Sequence, residues 1–262
     1  MTAAFPDSLP EHSHDGFLGG RLQLRQPLGR AHRAGLDAIL VAAAVPESAE
    51  GLLVDLGAGV GVAGLAAALR APAIRVALAE RDPLHCRFAR TNAADAPALA
   101  WRTMIAEVDV TDRAARLAAG LSAGSAAFVV MNPPFHPAAA SRASPDAGRA
   151  AAHVLPKDAL DGWVRAAADL LAPGGTLAVI FRADGLGALL AAFARRFGAI
   201  DLLPVHPRAD APATRVVARA RLGSRGPLRL VPPLVLHDGR GSGYLPLADA
   251  VLRGAALPFP PR

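Results

Sequence analysis

The stretch "VDLGAGVGVAG" (residues 54–64) decides the fold. It finishes an apolar strand, "GLLVDL" (51–56), passes through Gly57, Gly59 and Gly61, and runs into the alanine-rich helix "VAGLAAALRA" (62–71). A buried strand that turns through glycines into a helix opens a nucleotide-binding α/β sheet, because a missing Cβ lets the backbone bend sharply and approach a ligand. Gly59, Gly61 and Gly64 carry the G-x-G-x-x-G spacing, which alone also fits an NAD-binding turn. Asp55 tips the balance. A carboxylate two residues before Gly57 would repel a pyrophosphate, but it suits the ammonium end of an amino-acid-bearing cofactor.

Further strands follow at "IRVALAE" (74–80), "MIAEVDV" (104–110), "AAFVVMN" (126–132), "TLAVIFR" (176–182) and "AIDLLPVHP" (199–207). Helical segments separate several of them, at 82–96, 155–175 and 184–198. Strands alternating with helices predict a mostly parallel sheet covered on both faces. "TRVVARARL" (214–222) and "LRLVPPLVLHD" (228–238) read as a hairpin-like pair across "GSRG", which implies one strand inserted antiparallel. Ahead of the sheet, residues 1–18 read as a loose arm, 19–35 as a short half-exposed strand with its tail, and "LDAILVAAAV" (36–45) as a helix closed by Pro46.

Two carboxylates after the glycine loop are candidate ligand contacts. Glu80 ends the second strand of the unit, where an acid accepts hydrogen bonds from both hydroxyls of a ribose. Asp109 ends the next strand and is placed to hold an adenine amino group, although Asp112 lies close and aspartates also cap helix starts.

"VVMNPPFHP" (129–137) ends the fourth of these strands, on the carboxyl side where open α/β sheets bind ligands. Pro133 and Pro134 fix φ twice and restrict the residue before each. The carbonyls of Asn132 (side chain) and Pro133 (backbone) are therefore aimed, and two converging acceptors suit an NH2 donor. Gripping both hydrogens of an exocyclic amine or carboxamide leaves its lone pair directed at an electrophilic methyl, with preorganised dipoles and no strong base. Phe135 adds a face for a planar base, worth roughly 1–3 kcal/mol.

Composition sets outer limits. The 262 residues are 52% hydrophobic with a formal charge of +6, enough for a sizeable core and compatible with a polyanionic partner. A single cysteine, Cys86, excludes an intrachain disulfide and fits a reducing compartment. Neither a signal peptide nor a membrane span is read in the sequence, so the expected location is the cytoplasm. Histidine spacing predicts no metal site, and Cys86, Lys157, Trp101 and Trp163 read as structural.

The combination "DLGAGVG", a downstream acid and "NPPF" resembles the class I S-adenosylmethionine-dependent methyltransferases that modify planar amino groups. The resemblance implies a Rossmann-like α/β fold whose seven-stranded, mostly parallel sheet has its last strand antiparallel. More narrowly, "QPLGRAHRAGLDAILVAAAVP" (26–46), "LLAPGGTLAVIFR" (170–182), "LLPVHPRADAPATRVVARARLG" (202–223) and "LRLVPPLVLHDGRGSGYLP" (228–246) resemble the tRNA1(Val) adenine-37 N6-methyltransferase-like family. It covers residues 17–253 and implies S-adenosylmethionine as cofactor and RNA, tRNA foremost, as partner. By position, Asp37, Asp55, Gly57, Gly59, Gly61, Glu80 and Asp109 would contact the cofactor, and Asn132, Pro133, Pro134 and Phe135 the acceptor base. Phe135 stands where many relatives have Tyr. The implied organisation is an arm (1–18), a cap over the cofactor site (19–46), a methyltransferase domain (47–253) and a tail (254–262).

A protein glutamine or a DNA adenine would present the same NH2 and stay open as acceptors, as do an NAD-dependent oxidoreductase and a non-catalytic binding module. Arg21, Arg25, Arg30 and Arg33 form one candidate phosphate-tracking cluster, and Arg219, Arg221, Arg225 and Arg229 a second.

Overall fold

The computed structural model describes residues 9–28, 35–134, 157–239 and 243–261. The chain opens with β1 (His12–Phe17), β2 (Leu22–Pro27) and α1 (Leu36–Ala43). Next come β3 (Gly51–Leu56), α2 (Val62–Arg70), β4 (Ile74–Glu80), α3 (Pro83–Ala94), the short α4 (Pro97–Ala100), β5 (Thr103–Glu107), α5 (Arg113–Ala118) and β6 (Ala126–Met131). The second half holds α6 (Lys157–Leu170), β7 (Leu171–Arg182), α7 (Leu186–Phe193), β8 (Phe197–Arg208), β9 (Arg215–Leu222), β10 (Arg229–Leu230), β11 (Leu234–His237) and α8 (Pro246–Leu252).

The main sheet runs β10-β8-β9-β7-β6-β3-β4-β5, with β11 also on β8. Its neighbours are parallel throughout, except that β9 lies antiparallel between β7 and β8. The expected mostly parallel sheet with an antiparallel seventh strand is therefore present, extended at one flank by β10 and β11. Two buried apolar clusters fill the faces, one built around Leu40, Leu65, Leu78 and Phe88, the other around Val164, Leu189 and Phe193.

Alanine-rich helices approach closely, and buried arginines close the gaps they leave at helix ends. Arg70 donates to the carbonyls of Ala42, Val45 and Gly254. Arg102 donates to those of Ala68, Ala71, Pro72, Ile74 and Ala98. Both add side-chain donors to carbonyls gathered around the ends of α1, α2 and α4.

Three expectations are corrected. Residues 12–17, read as part of a loose arm, form β1 and pair along its length with β2. Segment 228–238 makes no hairpin with β9: it crosses to the far side of β8 and pairs there in parallel as β10 and β11. Pro232 and Pro233, which have no N–H to give a ladder, divide the two. The helix expected over 155–175 stops at Leu170, because Leu171 already pairs with Ala126 and a bulge follows before Thr176 meets Phe128.

Candidate active site

The carboxyl ends of β4, β3 and β6 lie side by side, with Leu56 level with Ala79 on one flank and Met131 on the other. The glycine loop thus emerges between Glu80 and Asn132. Its backbone folds back on β4: the N–H groups of Gly57 and Ala58 both donate to the Ala79 carbonyl, at 2.8 and 3.0 Å. Gly57, Gly59 and Gly61 take φ of +69°, +56° and +96°, a region that favours glycine.

Each loop glycine has its own physical reason. A Cβ on Gly57 would stand 2.3 Å from the Trp163 ring. On Gly61 or Gly64 it would strike Leu78, at 2.8 and 2.5 Å. On Gly59 it would meet nothing within 4 Å, so the loop backbone is open at that point. Gly61 and Gly64 serve helix–strand packing, and Gly59 leaves room for a ligand.

Glu80 is held rigidly. One carboxylate oxygen accepts from Gly59 N–H at 2.9 Å, and the other from the N–H groups of Arg81 and Asp82, each at 2.8 Å. Of the roughly four acceptor positions on a carboxylate, these occupy three. Glu80 is therefore a strut for the loop as well as a carboxylate at the strand end. Asp55 is buried at 2% exposure beneath the loop and accepts from Gly64 N–H at 2.8 Å, in the first turn of α2. Burial pushes its carboxyl up to about 7; the Gly64 bond opposes that shift and the nearby Glu80 charge adds to it.

Asp109 is turned toward its own backbone. It accepts from the Thr111 N–H and hydroxyl, at 2.8 and 2.7 Å, bonds that hold its carboxyl below the usual range, and it stands 3.9 Å from Arg81. Asp37, in the first turn of α1, accepts from Arg215 Nε at 2.9 Å. Arg215 begins β9 beside Arg182, which ends β7, so the pair sits on the carboxyl edge of the sheet.

Asn132 follows Met131 at the end of β6. Its side-chain Oδ1 is buried with no hydrogen-bond partner among the described residues. Pro133 is buried and Pro134 exposed. Phe135, like Arg30 and Arg33, lies outside the described residues.

The remaining arginines sort differently from their order in sequence. Arg21 donates to the carbonyls of Leu18 and Arg253, and Arg25 pairs with Asp95. Arg219 and Arg229 both reach the fully buried Asp201. Because β9 is antiparallel, Arg221 lies at the amino edge, level with Thr176 near the start of the parallel run of β7. The second cluster is not beside the glycine loop.

Sequence reading missed two contributors. Asn92 in α3 accepts from Arg25 N–H and donates to the carbonyls of Arg25 and Val60, tying β2 to the glycine loop. Trp163, read as simple packing, lies against Gly57 from α6. The only trace of either was an uncapped polar residue inside a helix and an aromatic on the helix that follows the NPP turn. Cys86 is buried, its thiol pushed up to about 12 mainly by burial, and donates to the Glu80 carbonyl. Among the described residues no three His, Cys, Asp or Glu side chains group to hold a metal, and no helix is long and apolar enough to cross a membrane.

The family model of the methyltransferase small domain matches residues 35–203, well over half of the chain. The chain belongs to that family. S-adenosylmethionine is the cofactor of this methyltransferase family, and the open Gly59 backbone and flanking carboxylates of the loop fit an amino-acid-bearing nucleoside. A tRNA1(Val) (adenine(37)-N6)-methyltransferase of Porphyromonas gingivalis is 35% identical over 162 residues, 60% of this chain and 62% of the relative. The chain thus aligns with about three-fifths of that relative's length. A ribosomal RNA large subunit methyltransferase G of Pseudomonas aeruginosa is 40% identical over 82 residues, 31% of this chain and 20% of the relative. Among solved structures, a predicted O-methyltransferase from Agrobacterium tumefaciens superposes with a TM-score of 0.72 at 32% identity, covering 84% of this chain and 98% of its own. A T. thermophilus 16S rRNA N2 methyltransferase, solved with AdoMet and guanosine, shares the fold at TM-score 0.55 and 22% identity, over 84% of this chain and 52% of its own.

Proposed function

We propose that this methyltransferase small domain protein transfers a methyl group from S-adenosylmethionine to the exocyclic N6 amine of adenine in RNA, with tRNA the first substrate class to test. The buried, unpartnered Oδ1 of Asn132 carries the reading. A buried acceptor without a donor costs about 1–3 kcal/mol, and an incoming NH2 group would remove that cost. The relatives named as tRNA and ribosomal RNA methyltransferases support RNA as the polymer that delivers the amine.

The bound cofactor supplies an activated methyl on a sulfonium. Everything else falls to side chains of this protein. Glu80, braced by three backbone donors, offers its remaining acceptor capacity to a ribose hydroxyl. Asp55, below the loop, becomes ionised when a cationic ammonium approaches, because the new charge offsets the burial that keeps its carboxyl protonated. Asp37 and Arg215 hold α1 against the sheet beside the NPP turn. Asn132 Oδ1 and the Pro133 carbonyl take the two amine hydrogens, so the nitrogen lone pair points away from both and toward the methyl. After transfer the surplus proton leaves the nitrogen for water, and no buried base is needed. An adenine within folded RNA has to be turned out of its stack to reach this turn.

The test is methyl transfer from labelled S-adenosylmethionine into unmodified total tRNA, read as nucleosides by mass spectrometry. N6-methyladenosine is expected with the natural sequence. With Asn132→Ala, turnover is expected to fall about 100- to 1000-fold, with cofactor affinity within about twofold. Label in a protein glutamine, or cofactor affinity lost in Asn132→Ala, would overturn the reading.

A further inference from the structure

We infer that a second RNA contact lies at the amino edge of the sheet, at a shallow groove that is lined by Arg221, is bordered by the segments carrying Arg195 and Arg225, and takes phosphodiester groups. The inference rests on RNA being the substrate. The groove has a volume of about 670 Å³ and is lined by Gly174, Ala199, Arg221, Gly223 and Ser224. Three segments meet there. The Gly223 N–H donates to the Arg196 carbonyl, the Ala199 N–H to the Gly226 carbonyl, and Arg221 Nε to the Gly174 carbonyl. These bonds hold the turn after α7, the loop after β9 and the bulge of β7 against one another, so their arginines share one surface.

The charge balance there is one-sided. Arg195, Arg221 and Arg225 are exposed, and none forms an ion pair among the described residues. Arg196 and Arg165 share a single aspartate, Asp161. Asp201, the other acid nearby, is fully buried and already engaged by Arg219 and Arg229. The groove therefore faces solvent with several uncompensated guanidinium groups, each able to hold phosphate oxygens in a fork.

Backbone conformation points the same way. Arg195 has φ +66°, at the position following the cap of α7 where glycine is the inexpensive choice. A side chain in that region costs about 1–2 kcal/mol. A cation near a helix C-terminus gains from the dipole, and the carbonyl of the next residue, Arg196, accepts from the Gly223 N–H of the groove wall, which brings this turn to the groove. Gly174 and Gly223 take φ of +74° and +71°. A Cβ on Gly223 would meet nothing within 4 Å, and one on Gly174 would stand 3.6 Å from the Arg221 guanidinium, so the groove is open at Gly223 and the arginine lies over Gly174.

The groove and the NPP turn lie at opposite edges of the sheet. Met131 is level with Ala218 through Val179, and Arg221 lies three residues further toward the amino edge. Asn132 and Arg221 are thus separated by about 13 Å along the strands, at roughly 3.3 Å per residue. RNA that occupies both sites therefore has to pass round the flank formed by β8 and β10, beyond β7 and β9.

The experiment compares binding of unmodified total tRNA by the natural protein, by R195A/R221A/R225A, and by R75A/R90A/R113A, which removes as many arginines elsewhere. Affinity is measured across a salt series. The groove variant is expected to bind at least tenfold more weakly near 0.1 M salt, and its plot of log affinity against log salt to flatten by about 2, since each phosphate contact contributes roughly 0.7–0.9. S-adenosylmethionine affinity stays unchanged, and R75A/R90A/R113A keeps the natural slope. Arg225→Glu alone, on an exposed loop, repeats the test should the triple variant fold poorly. Equal affinity and slope for the natural and groove variants overturns the groove. Salt-independent or undetectable tRNA binding by the natural protein overturns instead the RNA reading on which it stands.

Discussion

Asp55 is where cofactor affinity and fold stability pull against each other. With its carboxyl at about 7 in the folded chain against an ordinary 3.8, the folded state binds more protons between those values. Stability conferred by the neutral, buried acid is present at low pH and is lost as pH climbs from about 4 to about 7, levelling above that. Asp55→Asn keeps an acceptor for the Gly64 N–H and cannot ionise. Denaturant unfolding should show it more stable than the natural protein at pH 8 and nearly equal at pH 4. Titration calorimetry at pH 8 should show S-adenosylmethionine affinity at least tenfold lower. A variant that gains stability without losing affinity would remove Asp55 from the ammonium site. Asn132 is the complementary case, a polar atom whose cost in the free protein is its usefulness on binding.

At the scale of elements, the glycine loop depends on both its neighbours. Gly57→Ala combines a positive φ with a Cβ 2.3 Å from Trp163. The expected loss is about 2–4 kcal/mol in denaturant unfolding, the φ penalty alone being about 1–2. Adding Trp163→Ala should relieve the collision but leave the φ penalty. Asn92→Ala removes three hydrogen bonds between α3, β2 and the loop. Hydrogen exchange should quicken in β1 and β2 while β3 and β4 keep their protection; uniform quickening would deny the hairpin its separate anchor. The loop, the parallel strands and the NPP turn could be read from sequence because apolar runs, glycine spacing and prolines encode them locally. β1 could not: "HSHDGF" has no buried alternation, and it becomes a strand because β2 and α3 supply the partner surface. Nor could the partner of segment 228–238, since β9 and β8 are both near in sequence and only the three-dimensional order of the sheet decides between them.

For the whole molecule, the sheet flank is fastened by one acid. Asp201 is completely buried on β8 and binds Arg229 of β10 at 2.7 and 3.1 Å, with Arg219 of β9 at 3.7 Å. Asp201→Asn leaves two guanidinium groups without their counter-charge, and the expected loss is about 3–5 kcal/mol, read as a lowered thermal midpoint. Little change would mean that solvent already shares these arginines. The opposite end of the chain is fastened as well. The tail expected over 254–262 is stitched in along its described part: Leu257 N–H donates to the Ala43 carbonyl, Gly254 accepts from Arg70, and Pro260 accepts from Arg219, whose guanidinium lies over Phe259. Arg70 and Gly254 are 184 residues apart. During synthesis, α1 and α2 leave the ribosome long before the segment that completes their packing, so the first Rossmann unit must wait, partly unsatisfied, until nearly the last described residue has been made.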